Sequence, residues 1–128
     1  MNTPADQLDL AQGFAVALAA LDTDALSKLC TEDVYWTVPG DGPVGGRIEG
    51  VEGIIAFQQV LHDHAVRTDV RQIFHGRDSL LALLHDWGEH NGRRLDADLA
   101  LVLTLRDGRI AAIDGHMADV TAFVAYLG

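Results

Sequence analysis

Cysteine is almost absent from this sequence of 128 residues, and its scarcity excludes two kinds of framework. Because Cys30 is the only cysteine, no intrachain disulfide can form and no zinc site can be built on cysteine ligands. Cys30 follows Leu26 and Leu29 in an apolar run, so we interpret it as a small buried hydrophobic residue and not as a catalytic thiol. A domain of this length buries enough surface to fold without such cross-links.

Basic residues are also scarce. Nine lysines and arginines stand against 19 aspartates and glutamates, which gives a net charge of −10. Such a chain lacks the basic face with which proteins bind nucleic acid or an anionic membrane surface, so we expect neither partner. No apolar run reaches the length of a membrane span. A secretory signal would require a basic residue near its start, and the first basic residue here is Lys28. We therefore expect a cytoplasmic protein.

Periodicity in the first half of the chain predicts helices with one strand among them. Apolar residues recur at helical spacing in three segments, and one run is rich in β-branched and aromatic residues. The predicted helices cover residues 5–21, 23–30 and 53–64, and the strand covers residues 33–38. Residues 39–46, which are rich in glycine and proline, are expected to form a loop.

The second half of the chain has the patterns of a sheet. Residues 95–106 alternate in hydrophobicity with a period of two, as a strand does. Asn91-Gly92 and Asp107-Gly108 tolerate positive φ, so each predicts a tight hairpin. The predicted strands cover residues 66–75, 79–90, 95–106 and 110–117, and a final helix covers residues 120–127. These elements predict the α+β class, with a long antiparallel sheet covered on one face by helices.

Several motifs, taken with this order of elements, resemble the nuclear transport factor 2-like superfamily. The motifs are DVYWTVPG at residues 33–40, GRIEG at 46–50, DGRI at 107–110 and DVTAF at 119–123. The superfamily includes ketosteroid isomerase, limonene epoxide hydrolase and the SnoaL-like polyketide cyclases. The resemblance covers residues 1–128 as a single domain. It implies a curved sheet that forms a cone around the helices, a ligand pocket inside the cone, and a homodimer through the outer sheet face.

The same resemblance implies where the acids, bases and donors of those enzymes would fall in this chain. They fall at or near Phe14, Val38, Ala82, Leu84, Leu101 and Gly115. None of these residues has a titratable side chain. Dienolate isomerisation of the ketosteroid type is therefore not expected, because its general base and both of its hydrogen-bond donors are missing.

Strand parity and the register of the resembled fold indicate which side chains face the inside of the cone. Most of them are apolar, and Gln58 joins them because it shares a helix face with His62. The predicted substrate-binding residues are Phe14, Trp36, Val38, Phe57, Gln58, Leu84, Leu99, Leu101 and Met117. Trp36 and Phe14 would supply the stacking surface for a small apolar ligand.

Asp86 is the carboxylate that parity places among these apolar neighbours. Desolvation there would raise its pKa and make it a general acid or base near neutral pH, with His62 assisting it. In an alternative interpretation Asp86 is an ordinary solvated acid at the wet mouth of the cone, and His62 is an exposed helix residue. Parity places Asp114 and His116 on the outer face. They would become the catalytic pair only if the register were shifted by one residue.

These observations predict a function and leave alternatives open. We expect a cofactor-independent enzyme of the isomerase, cyclase or epoxide hydrolase type that acts on a small apolar molecule by general acid/base catalysis. No metal is expected, because His62 and His64 lie two apart on a helix and cannot share a face. The missing catalytic residues leave two alternatives: a non-catalytic binding or carrier protein of the same fold, and a dimerisation module without a ligand.

Overall fold

A computed structural model describes residues 2–128 as four helices and six strands. The helices are α1 (Pro4–Ala19), α2 (Thr23–Leu29), α3 (Gly50–Asp63) and α4 (Val120–Leu127). The strands are β1 (Cys30–Val38), β2 (Gly46–Glu49), β3 (Arg67–His75), β4 (Ser79–His90), β5 (Arg93–Arg106) and β6 (Arg109–Met117). The predicted α+β class is confirmed. Within residues 2–128 no helix has the length and apolar character needed to cross a membrane.

All six strands form one sheet, in the order β2-β1-β6-β5-β4-β3, and the sheet does not close because β2 and β3 are its edges. Neighbouring strands are antiparallel except β1 and β6, which are parallel. The predicted antiparallel sheet is therefore mixed, with this one parallel pair. Turn signals identify strands that follow one another along the chain, whereas β1 and β6 are separated by most of it.

Three features of residues 2–49 differ from the sequence prediction. The short edge strand β2 is not predicted, since four largely exposed residues are too few to show alternation. Leu21 has a φ of 52°, outside the helical region, so α1 ends before it. Cys30 opens β1 instead of closing α2, and its side chain is buried as expected.

Two tight turns set the register of the three longest strands. Asn91 and Gly92 have φ values of 51° and 76°, and Asp107 and Gly108 have values of 54° and 76°. Both central residues of each turn thus lie in the left-handed region, as type I′ hairpins require. The two hairpins predicted from these dipeptides are confirmed, and they join β4 to β5 and β5 to β6.

This register brings the expected inward residues of the hairpins to one face. Leu84 lies opposite Leu99, and Leu101 lies opposite Gly115. Opposed residues of an antiparallel pair point to the same side of a sheet, so these four positions share the concave face. The helices pack against that face, and the hydrophobic core lies between them and the sheet.

Ile54 is a fully buried residue of α3 in this core. Its replacement by alanine leaves a cavity, so Ile54→Ala is expected to lower the free energy of unfolding by about 2–5 kcal/mol. Val16→Ala is the matched control, because Val16 on α1 is 70% exposed. Urea denaturation measures both changes, and equal losses in the two variants would contradict the placement of α3 over the sheet.

The convex face of the sheet carries apolar side chains among polar ones. Leu83 and Val102 are half-buried there, and Phe74 and Trp87 are 46% and 40% exposed. Contiguous apolar patches of this kind often mark contact surfaces between proteins. The homodimer expected through this face stays a prediction.

Light scattering checks the homodimer prediction directly. The protein is expected to have the mass of a dimer at micromolar concentration, and Val102→Glu is expected to give a monomer because it would bury a charge in the interface. Val16→Glu adds the same charge to an exposed position on α1 and should leave the dimer intact. A monomer mass for the unaltered protein across the micromolar range would contradict the prediction.

Candidate functional site

A cavity of about 490 Å³ lies between the concave face of the sheet and the helices. Its volume is in the range of small-molecule sites, and its wall is mostly apolar. The structure places all eleven candidate site residues along this wall: Phe14, Trp36, Val38, Phe57, Gln58, His62, Leu84, Asp86, Leu99, Leu101 and Met117. Their roles in catalysis and binding stay predictions.

Local sequence periodicity explains how these side chains reach the same space. On β4, alternate residues face inward, and Ala82, Leu84 and Asp86 are successive members of that series. On α3, Gln58 and His62 are four residues apart and therefore lie on the same helix face. This strand and this helix thus supply the three candidate polar groups Gln58, His62 and Asp86 to a mostly apolar wall.

An aromatic cluster holds one part of the wall. The Trp36 ring lies 6.1 Å from the Phe14 ring, centroid to centroid, at an interplanar angle of 34°. It meets the Phe57 ring edge-on, at 5.3 Å and 77°. Because Phe14 comes from α1 and Phe57 from α3, two helices fix the orientation of the indole on β1.

Asp86 is buried in this apolar surrounding, with only 6% of its surface exposed. Burial raises the pKa of its carboxyl from 3.8 to about 6, and this effect exceeds the lowering by the Thr68 hydrogen bond and the nearby His85. The Thr68 hydroxyl donates a hydrogen bond of 2.6 Å to Asp86 Oδ1. The alternative of a solvated Asp86 at the mouth of the cone is therefore wrong.

Sequence reasoning does not find Thr68, although it is the direct partner of Asp86. Thr68 lies opposite Asp86 across β3 and β4. A β-bulge between Val70 and Gln72 shifts the register of β3 against β4. Counting residues back from the turn between these strands therefore does not place Thr68 opposite Asp86. The only sequence signal for this partner is a threonine in an exposed strand, and that signal is weak.

His62 lies on the cavity wall and is exposed. In the described part of the chain it makes no hydrogen bond to Asp86, whose partner is Thr68. The two groups therefore border the same space without a hydrogen bond between them. If His62 takes part in catalysis, it would contact a molecule in the cavity and would not act on Asp86 directly.

The positions at which the resembled enzymes would keep their catalytic groups also border the cavity. None of the residues there can transfer a proton: Phe14, Val38, Ala82, Leu84, Leu101 and Gly115. Among residues 2–128, Asp86 is the only carboxylate on the wall. Proton transfer to or from a carboxyl group in this cavity would therefore depend on Asp86.

Asp114 and His116 do not reach the cavity. Asp114 accepts a hydrogen bond of 2.8 Å from the Thr37 hydroxyl, and His116 Nδ1 lies 3.1 Å from the backbone oxygen of Asp114. Val102 lies opposite Asp114, so the pair belongs to the convex face, as parity predicts. The one-residue shift that would turn these side chains inward does not occur. No cluster of three or more metal-ligating side chains is found among residues 2–128.

The fold and the cavity together define an α+β cone protein with an internal site of ligand size. The SnoaL-like domain family matches residues 11–113. The chain belongs to this family, which confirms the resemblance drawn from its sequence motifs. No curated protein matches the sequence.

Solved structures share this fold at low sequence identity. Bal32a, from a soil-derived mobile gene cassette, has a TM-score of 0.89 at 20% identity, over 97% of this chain and 98% of its own. An NTF2-like protein from Burkholderia xenovorans LB400 has a TM-score of 0.86 at 18% identity, over 100% of both chains. TerC, co-crystallised with polyporic acid, has a TM-score of 0.80 at 19% identity, over 95% of this chain and 98% of its own. Identities this low establish a common fold alone.

The burial of Asp86 predicts a pH dependence of stability. Its pKa is raised in the folded state, so its contribution to stability is full below pH 4 and is lost as the pH rises through about 6. Asp86→Asn cannot ionise. The free energy of unfolding of the variant is therefore expected to rise, relative to the unaltered protein, by up to about 3 kcal/mol between pH 4 and pH 7.

Urea denaturation at intervals from pH 4 to pH 7 measures this difference. Asp9→Asn is the control, since Asp9 is an exposed carboxylate on α1. A difference between Asp86→Asn and the unaltered protein that does not change with pH would show that the Asp86 carboxyl titrates as it does in water.

Proposed function

We propose that this protein is a cofactor-independent enzyme that transfers a proton on a small, largely apolar molecule held in the cavity, with Asp86 as the general acid or base. A single observation carries the proposal. The only carboxylate on the wall within residues 2–128 is 6% exposed in an apolar cavity, and its pKa is about 6. Buried carboxyl groups with pKa values close to the working pH are typical of general acid/base catalysts.

The surroundings of Asp86 leave one of its oxygens free for a substrate. Thr68 donates to Oδ1, and Oδ2 has no hydrogen-bond partner among the described residues. No fully buried side-chain oxygen or nitrogen in this part of the chain lacks a partner, so Oδ2 must lie at an accessible surface. The Thr68 hydrogen bond restricts rotation of the carboxylate. Oδ2 can then accept a proton from a carbon next to a carbonyl group and return it to another position.

The family and the fold support this reading of the site. The chain belongs to the SnoaL-like domain family. The resemblance drawn from the sequence motifs includes the SnoaL-like polyketide cyclases. TerC has the same fold and was crystallised with polyporic acid, so a fold of this kind can accommodate a small organic molecule. The enzyme would need no metal or cofactor for a proton transfer, because Asp86 both takes and returns the proton.

Proton exchange in heavy water tests the proposal without knowledge of the natural substrate. The probe is 2-acetylnaphthalene, whose methyl protons lie next to a carbonyl group, and proton NMR follows their replacement by deuterium. We expect exchange above the buffer rate. We also expect the rate to rise with pH through about 6, since only the ionised Asp86 can accept a proton. Asp86→Asn is expected to lower the rate by about 10²–10⁴.

Two further variants sharpen this experiment. Asp114→Asn is the matched control, because Asp114 is a carboxylate on the convex face and should leave the exchange rate unchanged. His62→Gln is expected to lower the rate less than Asp86→Asn, since His62 makes no hydrogen bond to the carboxylate in the described residues. Full exchange in Asp86→Asn, with loss in Asp114→Asn, would move the catalytic role to the other face of the sheet.

A second candidate function is a non-catalytic binding or carrier protein. It is favoured by six positions on the wall where the resembled enzymes are expected to keep catalytic groups and where this chain has none: Phe14, Val38, Ala82, Leu84, Leu101 and Gly115. In that case the probe would bind in the cavity with no exchange above the buffer rate. Binding with exchange supports the enzyme, and binding without it supports the carrier.

A further inference from the structure

We propose that the indole N–H of Trp36 is a hydrogen-bond donor to the ligand, and that the cavity therefore takes apolar molecules that carry an acceptor oxygen, such as a ketone. The proposal rests on the proposed function in so far as the cavity binds a small molecule. It gives Trp36 a polar role in addition to the stacking surface predicted from the sequence.

The Trp36 N–H has no hydrogen-bond partner among residues 2–128. Trp36 is only 5% exposed, yet its Nε1 makes no hydrogen bond to any residue in the described part of the chain. Every fully buried side-chain nitrogen or oxygen there has a partner, so Nε1 must border accessible space. Trp36 lines the cavity, and the cavity is therefore the space that its N–H faces.

Gly115 shows where on the wall this donor lies. A Cβ atom built on Gly115 would stand 3.7 Å from Trp36 Nε1 and 2.9 Å from the backbone oxygen of Thr37. A side chain at position 115 would thus crowd the neighbouring strand and fill the space beside the indole. The glycine keeps that space open, and an oxygen atom of a ligand can occupy it.

The donor is also held in place. Phe14 and Phe57 pack on the indole at centroid distances of 6.1 and 5.3 Å, which restricts rotation of the ring. A donor held in one orientation loses little entropy when it binds an acceptor. The geometry therefore suits recognition of one oxygen atom at one place on the wall.

Desolvation explains why an acceptor oxygen is needed. A wholly apolar molecule that fills the cavity removes water from the Trp36 N–H and leaves it unpaired, which is unfavourable. A molecule with a carbonyl oxygen at that point replaces the water. The difference expected from one neutral hydrogen bond is about 2- to 10-fold in affinity.

Gln58 is the competing donor. It is 9% exposed, lines the same cavity and makes no hydrogen bond in the described part of the chain. Its amide can donate or accept, whereas the Trp36 indole can only donate. A ketone preference could therefore arise from either residue, and a variant of each is required to separate them.

The experiment compares two probes of the same shape by calorimetry, 2-acetylnaphthalene and 2-isopropenylnaphthalene, in which a methylene group replaces the carbonyl oxygen. The unaltered protein is expected to bind the ketone about 2- to 10-fold more tightly. Trp36→Phe is expected to abolish this preference without weakening the hydrocarbon, and Gln58→Leu is expected to keep it. A preference that persists in Trp36→Phe, or that disappears in Gln58→Leu alone, would overturn the proposal.

A spectroscopic measurement on the unaltered protein covers the case in which Trp36→Phe fails to fold. The chain has two tryptophans, and Trp87→Phe identifies which indole N–H signal belongs to Trp36. In nitrogen–proton correlation spectra the ketone is expected to shift the Trp36 signal downfield, and the hydrocarbon is not. The Trp87 signal, from the convex face, serves as the internal reference. Equal shifts with both probes would refute the donor role of Trp36 and leave the cavity as a binding site. If neither probe binds, this proposal and the proposed function are overturned together.

Discussion

The register of β4, β5 and β6 is the constraint on which the rest of the molecule depends. Two hairpins with both central residues at positive φ join these strands, and a shift of one residue in either would turn a whole row of side chains to the other face. A shift in the β4–β5 hairpin would turn Asp86 to the convex surface, and a shift in the β5–β6 hairpin would turn Asp114 to the cavity. The identity of the candidate catalytic group therefore follows from the geometry of Asn91-Gly92 and Asp107-Gly108.

The open apolar cavity is unusual, because protein interiors normally pack without such gaps. Here the sheet curves away from the helices and leaves about 490 Å³ unfilled. Three buried residues on the wall have polar groups without a hydrogen-bond partner among residues 2–128: Asp86 at Oδ2, Trp36 at its N–H and Gln58 at its amide. Unfilled volume and unpaired polar atoms both lower stability. Their coincidence in one place is typical of a site shaped for a ligand.

The parallel pairing of β1 with β6 completes the site. It places Trp36 opposite Ile113 and brings the indole beside Gly115. In the resembled enzymes a carboxylate is expected near that position. Here the position is a glycine, and the Trp36 N–H lies beside it. Within one fold, the chemistry of the cavity thus depends on a few side chains that the scaffold does not need.

The sequence by itself determined the elements and faces that arise from local repetition. The alternation in residues 95–106, the two hairpin dipeptides and the spacing of Gln58 and His62 were enough to predict which side chains surround the cavity and that Asp86 is among them. These features depend on neighbours a few residues apart, so they can be read along the chain. Only the tertiary structure decided the parallel β1–β6 pair, the short strand β2, and the bulge in β3 that sets Thr68 against Asp86. It also decided that the Trp36 N–H has no partner within the described residues 2–128, because hydrogen bonding between distant segments depends on how the whole sheet curves around the helices.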